Sequence, residues 1–345
     1  MKVLLTGTDG YIGVMMAPYL AARGHDVTGL DTGFYREGWL YDAGVPVMTR
    51  LRKDIRHVGL DDLRGIEAVV HLAELSNDPL GQLNPEITYR INHEASTRLA
   101  RLCREAGVGR FVYTSSCSVY GVGTDEPKTE AAEPNPQTAY AACKALVERD
   151  VSALATDEFT PTFLRNATAF GPSPRMRFDI VLNNLSGLAW TTGRIAMTSD
   201  GTPWRPLVHV LDICEAVACV LDAPRDAVRA EIFNVGDDGA NYRVREIAQI
   251  VADTFPGCEL TLGSNGGDNR SYRVSFAKIR EHLPAFRCRH DAAAGARQLR
   301  AVFEQAGIDR ATFESRPYTR LKQLEYLIGS GQLDRELFWT APPGQ

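Results

Sequence analysis

Tyr140 and Lys144 stand four residues apart in the stretch "YAACK". On a helix, residues at that spacing share one face. An ammonium group there favours the ionised form of a phenol, whose free pKa is about 10. A phenol tuned toward neutrality takes a proton from a carbinol while hydride leaves for an acceptor. Alone, the pair reads equally well as two surface side chains. Its meaning depends on a second stretch, "TSSCSVYG" at 114–121. There an apolar, strand-like run ends in Ser115, Ser116, Cys117 and Ser118, with no carboxylate among them.

The hydride acceptor has its own signature near the N-terminus. "KVLLT" (2–6) is a short apolar strand, and "GTDGYIG" follows it with Gly7, Gly10 and Gly13 around Tyr11 and Ile12. Such glycines permit a tight turn, a close approach to a pyrophosphate and helix–strand packing. The spacing is GxxGxxG, and a helical pattern over 11–24 follows directly. This is the pattern of a dinucleotide site. Asp31 closes the next strand, "DVTGLD" (26–31), where a carboxylate accepts from adenosine ribose hydroxyls. A carboxylate there repels a 2′-phosphate, so NAD is expected over NADP, with Arg36 close enough to oppose that preference. Asp54 and Ile55, after the third strand, are candidates for the adenine edge.

The elements that must position these residues alternate along the first half of the chain. Further strands are expected at 67–73, 110–116 and 161–166, and helices at 91–107 and 138–154. Strands rich in Val, Leu and Ile with helical connections imply an α/β fold, a Rossmann-like doubly wound parallel sheet covered on both faces. After residue 166, loops with Gly, Pro and Asn break up the pattern. The expected division is an NAD-binding domain at 1–166, with later segments returning to it, and a smaller C-terminal α/β substrate lobe at 167–345. The stretch 318–339 looks helical, and its apolar residues are expected to pack as a terminal helix rather than to form a ligand site.

Composition excludes several classes. The 345 residues carry a net charge of −5, with a pI near 5.9. Neither nucleic acid nor a membrane is an expected partner. The apolar run in "MKVLLTG" is too short for a signal peptide or a span. The seven cysteines are scattered, without a CxxC pair, as in a cytoplasmic protein with reduced thiols. No metal site is expected.

Taken together, "GTDGYIG", "HLAE" (71–74), Asn92, "TSSCSVYG", "YAACK" and "VHVLD" (208–212) resemble an extended short-chain dehydrogenase/reductase. More narrowly they resemble the NAD-dependent nucleotide-sugar epimerase/dehydratase family, over nearly the whole chain. The resemblance implies NAD as cofactor and a nucleotide-diphosphate sugar as substrate. It implies that Ser116 joins Tyr140 and Lys144 as a catalytic residue, hydrogen-bonding a sugar hydroxyl or the nascent ketone. Lys144 also holds the nicotinamide ribose, Leu72 and Ala73 line the cofactor, and Asn92 is structural or faces the cofactor. A homodimer through two helices per subunit is implied as well.

The two positions after Ser116 discriminate within that family. Its sugar 4,6-dehydratases resemble one another in carrying Asp-Glu there, and decarboxylating members carry a Glu at the second position. Cys117 and Ser118 are poor substitutes for carboxylic acids. The expected reaction is therefore oxidation at C4 and its reversal, a nucleotide-sugar 4-epimerase. A 4-dehydrogenase or 4-ketoreductase is the alternative. A 4,6-dehydratase would need a base from elsewhere, and Glu74, Asp78 and Asp179 are the candidates. The least favoured reading is a non-catalytic NAD sensor, which would not need Ser116, Tyr140 and Lys144.

In the substrate lobe, Thr168 and Phe170 stand where the family usually has Asn and Tyr. Cys117, Ser118 and Thr168 are small enough for a roomy sugar pocket. "GPSPRMR" is similar to a stretch of family members that oxidise GDP-heptoses at C4, and its Arg175 and Arg177 read equally well as binders of a phosphate or carboxylate and as solvated side chains. Arg205 stands where relatives hold a diphosphate. His209 is structural by the same pattern. The family's "RPGD" is replaced by "NGGD" (265–268), for which Arg270 or Arg273 compensates.

Overall fold

The computed structural model describes residues 1–42, 48–76, 78–123, 126–264 and 270–341. The "NGGD" stretch lies outside them. Among the described residues twelve strands are formed: β1 (Lys2–Thr6), β2 (Asp26–Asp31), β3 (Arg50–Arg52), β4 (Ala68–His71), β5 (Arg110–Ser116), β6 (Thr160–Asn166), β7 (Thr168–Phe170), β8 (Arg194–Ala196), β9 (Trp204–His209), β10 (Ile232–Val235), β11 (Asn241–Arg243) and β12 (Glu259–Thr261). Seven of them make one sheet in the order β10-β6-β5-β4-β1-β2-β3, and every pairing is parallel.

Successive strand residues point to opposite faces, and the core divides accordingly. Val3 and Leu5 join Met16, Leu20, Ile213 and Val217 on one face, under the helices Gly13–Ala22 and Val210–Asp222. Leu4 joins Leu99, Phe111, Val147, Leu324 and Leu327 on the other. That face is covered by the helices Ser96–Glu105, Ala139–Ser152 and Arg320–Gly329. So the C-terminal helix and β10 both belong to the large sheet domain, although they come late in the chain.

Strand order reverses between β4 and β1. A parallel sheet opens a crevice at such a point, beyond the C-terminal ends of its strands. The smaller lobe closes that crevice. It holds a three-stranded sheet (β11-β9-β7), the pair β12-β8, and a core around Phe170, Phe178, Leu207 and Phe303. The helix expected over 91–107 starts earlier and irregularly. Tyr89–Ala95 is π-helical, and Ser96–Glu105 continues as α-helix. Among the described residues no helix is long and apolar enough to cross a membrane.

Candidate active site

A cleft of about 580 Å³ fills the crevice and carries most of the residues singled out in the sequence. Its floor is the turn after β1. Gly7 has φ +78°, and a Cβ on it would lie 2.9 Å from the Ala73 backbone nitrogen. A Cβ on Gly13 would lie 2.0 Å from the Gly7 carbonyl oxygen, so neither position tolerates a side chain. Gly10 and Ile12 line the cleft, as do Leu72 and Ala73. Tyr11 is buried within the turn and is a strut between the lobes: its hydroxyl donates to the Gly171 carbonyl at 2.6 Å.

At the end of β2, the Asp31 carboxylate accepts from the backbone N–H groups of Asp9 (2.9 Å) and Gly33 (2.7 Å). Burial, and then the nearby Asp9 carboxylate, push its pKa up to about 6. The basic residues at this end are Arg52, 3.1 Å from Asp9, and Arg50, 3.6 Å from it. Arg36 instead stacks on Trp339. Ile55 lines the cleft beside Asp54, whose carboxylate is already held by Arg56 at 2.7 and 2.9 Å.

Tyr140 and Lys144 project from the helix Ala139–Ser152, which Thr138 caps through its hydroxyl. The Lys144 ammonium lies 5.5 Å from the centre of the Tyr140 ring and donates to the Thr114 carbonyl at 2.5 Å. One turn further along the same helix, Glu148 is buried against Arg165 (2.7 Å) and accepts from Ser115, which ties the helix to the end of β5. Ser116 thereby faces the phenol.

The electrostatics differ from the expectation of a phenol lowered by Lys144. Burial raises the Tyr140 pKa, and the Glu74 and Asp78 carboxylates raise it further; the Ser116 hydroxyl works the other way. The cause is Glu74. This buried carboxylate forms an ion pair with Lys144 and accepts from the Tyr113 hydroxyl. Burial raises the Glu74 pKa, against the pull of Lys144. Lys144 is thus neutralised from behind.

The chain matches the model of the NAD-dependent epimerase/dehydratase family over residues 3–236. The chain belongs to this family. It is similar to the UDP-glucose 4-epimerase of Corynebacterium glutamicum, 31% identical over 304 residues, which are 82% of this chain and 90% of the relative. Among solved structures it is similar to MoeE5 in complex with UDP-glucose and NAD (26% identity, TM-score 0.75, 89% of this chain and 100% of the other). It is also similar to DesIV, the dTDP-glucose 4,6-dehydratase from Streptomyces venezuelae, with NAD bound (26% identity, TM-score 0.77, 90% and 100%).

As a member of the epimerase/dehydratase family, the chain is an enzyme with NAD as its cofactor. The cleft fits that group. The glycine turn leaves bare backbone where a pyrophosphate approaches. Asp31 is a half-buried carboxylate at one end, suited to ribose hydroxyls. Asn92 contributes indirectly: it sits in the π-helical turn and pins the loop after β4, exchanging hydrogen bonds with the Leu75 backbone at 2.9 and 3.0 Å.

The remaining candidates divide. Ser116, Ser118, Thr168, Arg177, Arg205 and Arg270 line the cleft. Cys117, Arg175 and Arg273 do not. The Cys117 thiol turns back onto the Arg165 carbonyl at 3.1 Å, and burial pushes its pKa up. Arg175 donates to the Glu37 carbonyl (2.6 Å) and stacks on Trp39. Arg273 stacks on Trp204. The three candidate bases lie in the cleft, each beside a cation: Glu74 with Lys144, Asp78 with Arg270, and Asp179 with Arg177 (2.8 Å). His209 is structural in its contacts: Nδ1 accepts from the Leu211 N–H (3.2 Å) and Nε2 meets Gln298 at 2.8 Å. Arg320 lines the cleft and was not anticipated. It opens an otherwise ordinary amphipathic helix, and nothing in the sequence marks it.

Proposed function

We propose that the chain is a nucleotide-sugar 4-epimerase that works by transient oxidation at C4. One observation carries this reading. The end of β5 offers the sugar only neutral groups, and the three candidate bases Glu74, Asp78 and Asp179 are each paired with a cation. The likeness to UDP-glucose 4-epimerase over 82% of the chain supports it. Bound NAD supplies the hydride acceptor. Ser116 holds the C4 hydroxyl, and Tyr140 takes its proton. Lys144, held by Glu74 and the Thr114 carbonyl, fixes the helix face that presents the phenol. The 4-keto sugar turns about its diphosphate linkage and accepts the hydride back on its other face, and Tyr140 returns the proton. Arg205 and Arg270 flank this end of the cleft and hold the sugar's diphosphate. The protein acts as a cytoplasmic homodimer in this reading.

The likeness to DesIV favours one second reading, 4,6-dehydration. That reaction needs a base within about 3 Å of the C5 proton. Asp78 is the carboxylate best exposed to the cleft for it, but it is bound to Arg270 and accepts from Thr138. Incubation with UDP-glucose or UDP-galactose in D₂O, read by NMR and mass, separates the readings. Epimerisation interconverts the C4 isomers with no deuterium at C5 and no loss of water. Deuterium at C5, or a product lighter by one water, overturns the 4-epimerase. Stoichiometric accumulation of NADH and a 4-keto sugar would identify a net dehydrogenase.

A further inference from the structure

Arg320 is 2% exposed, yet its Nη2 has no hydrogen-bond partner. Its guanidinium stacks over the Tyr35 ring, 4.2 Å from the centre. The Tyr35 hydroxyl is likewise buried without a partner. Both side chains line the cleft. Buried polar groups are almost always satisfied, and an unpaired buried charge is costly. Two adjacent unsatisfied donors, one cationic, at the wall of a ligand cleft call for an anion with several acceptor oxygens.

Their place in the cleft says which anion. Tyr35 follows Asp31 by four residues, on the loop after β2. The helix that Arg320 opens is tied to that loop, because the Gln323 side-chain amide donates to the Phe34 carbonyl at 3.2 Å. Arg320 and Tyr35 therefore line the cleft beside its Asp31 end, the end suited to the adenosine ribose. In NAD, the group between the adenosine ribose and the nicotinamide ribose is the diphosphate. Burial, and then the Arg177 cation, hold the Arg320 pKa down to about 10, against the pull of Asp179 and Asp31.

We propose that Arg320 and Tyr35 grip the NAD diphosphate, so that the C-terminal helix clamps the cofactor against the sheet domain. The glycine turn alone offers backbone dipoles; Arg320 adds a full charge from a helix packed on the same core. The proposal concerns NAD and holds whichever reaction the cleft performs.

Arg320→Met tests it in the full-length chain, with NAD, ADP-ribose and UDP titrated separately by calorimetry. A charge-assisted hydrogen bond is worth about 1.5–3 kcal/mol, so NAD and ADP-ribose should each bind about 10- to 100-fold more weakly. UDP, which probes the sugar-nucleotide end, should change less than about twofold. The melting temperature without ligand should rise, because an uncompensated buried charge is gone, and the extra stabilisation by NAD should shrink. Unchanged affinity for NAD and ADP-ribose overturns the proposal. So does a loss confined to UDP, which would place Arg320 on the substrate's diphosphate. Should the Met variant fail to fold, Tyr35→Phe removes a single hydroxyl. It should weaken NAD and ADP-ribose about fivefold and leave UDP alone, and unchanged NAD binding in that variant refutes the clamp.

Discussion

Replacing Glu74 by Gln tests whether the charge behind Lys144 sets the working pH. The substitution keeps the shape and the hydrogen-bonding capacity toward Tyr113 and Lys144, and removes one negative charge. The magnitude follows from the geometry. Lys144 lies 5.5 Å from the Tyr140 ring centre, and Glu74 is in contact with that ammonium. At an effective dielectric constant of about 20, two unit charges roughly 7 Å apart interact by about 2 kcal/mol, equivalent to about 1–2 pH units. Glu74 raises the Tyr140 pKa, so the Gln variant should lower it. A general base is active when deprotonated, and activity rises with pH through its pKa. The acidic limb of the kcat/KM profile should therefore move about 1–2 units toward lower pH. The assay is the pH dependence of nucleotide-sugar turnover, with NAD saturating. A limb that stays within about 0.3 units, or moves toward higher pH, would refute the reasoning. In that case Lys144, deprived of its partner, would have lost its own charge instead. Glu74→Ala is the harsher control. It strands a buried ammonium, a loss typically worth about 3–5 kcal/mol, and should lower thermal stability accordingly.

Two further outcomes are expected. Tyr140→Phe should reduce kcat about 10²- to 10⁴-fold with NAD affinity within about twofold of the parent, measured by steady-state kinetics and calorimetry. Asp31 carries a raised pKa of about 6, and ribose hydroxyls donate best to its ionised form. NAD affinity should therefore rise as pH increases through about 6, with a proton released. Asp31→Asn should flatten that dependence and narrow the preference for NAD over NADP, both read from titrations between about pH 5 and 8.

The sheet was legible because its signals are local. β1, β2 and β5 occupy the residues expected of them, since apolar runs bounded by turns need no distant information. The glycine turn was legible for the same reason. What escaped depends on pairs far apart in sequence. Glu74 was visible as a candidate base, but its partner Lys144 is 70 residues away. Without that pairing the phenol was expected to be lowered rather than raised. Arg320 meets Tyr35 across 285 residues, and a single Arg on an amphipathic helix reads as solvated surface. Arg175 and Arg177 looked equivalent in "SPRMR". The segment is irregular, so no period assigns their faces, and only Arg177 reaches the cleft.

The distribution of charge links these observations. A buried ammonium is costly without a counter-charge. Here Glu74 provides it from the side of β4, away from the end of β5 where Ser116 and Ser118 stand. That placement leaves the sugar end hydroxyl-lined: the Ser118 hydroxyl is buried without a protein partner, and Thr168 lines the same cleft. Hydroxyl groups both donate and accept, so they satisfy a sugar hydroxyl in either C4 configuration. A carboxylate only accepts when ionised, and would favour one pose and threaten the C5 proton of a 4-keto sugar. On this argument the Glu74–Lys144 pair and the neutral Cys117-Ser118 step are two parts of one arrangement. Moving a carboxylate to position 118, as Ser118→Glu, should cost epimerisation more than first-half oxidation. Single-turnover NADH formation would be retained while C4 isomer exchange falls. Equal loss of both steps would mean that the neutrality of this position has nothing to do with the return of hydride.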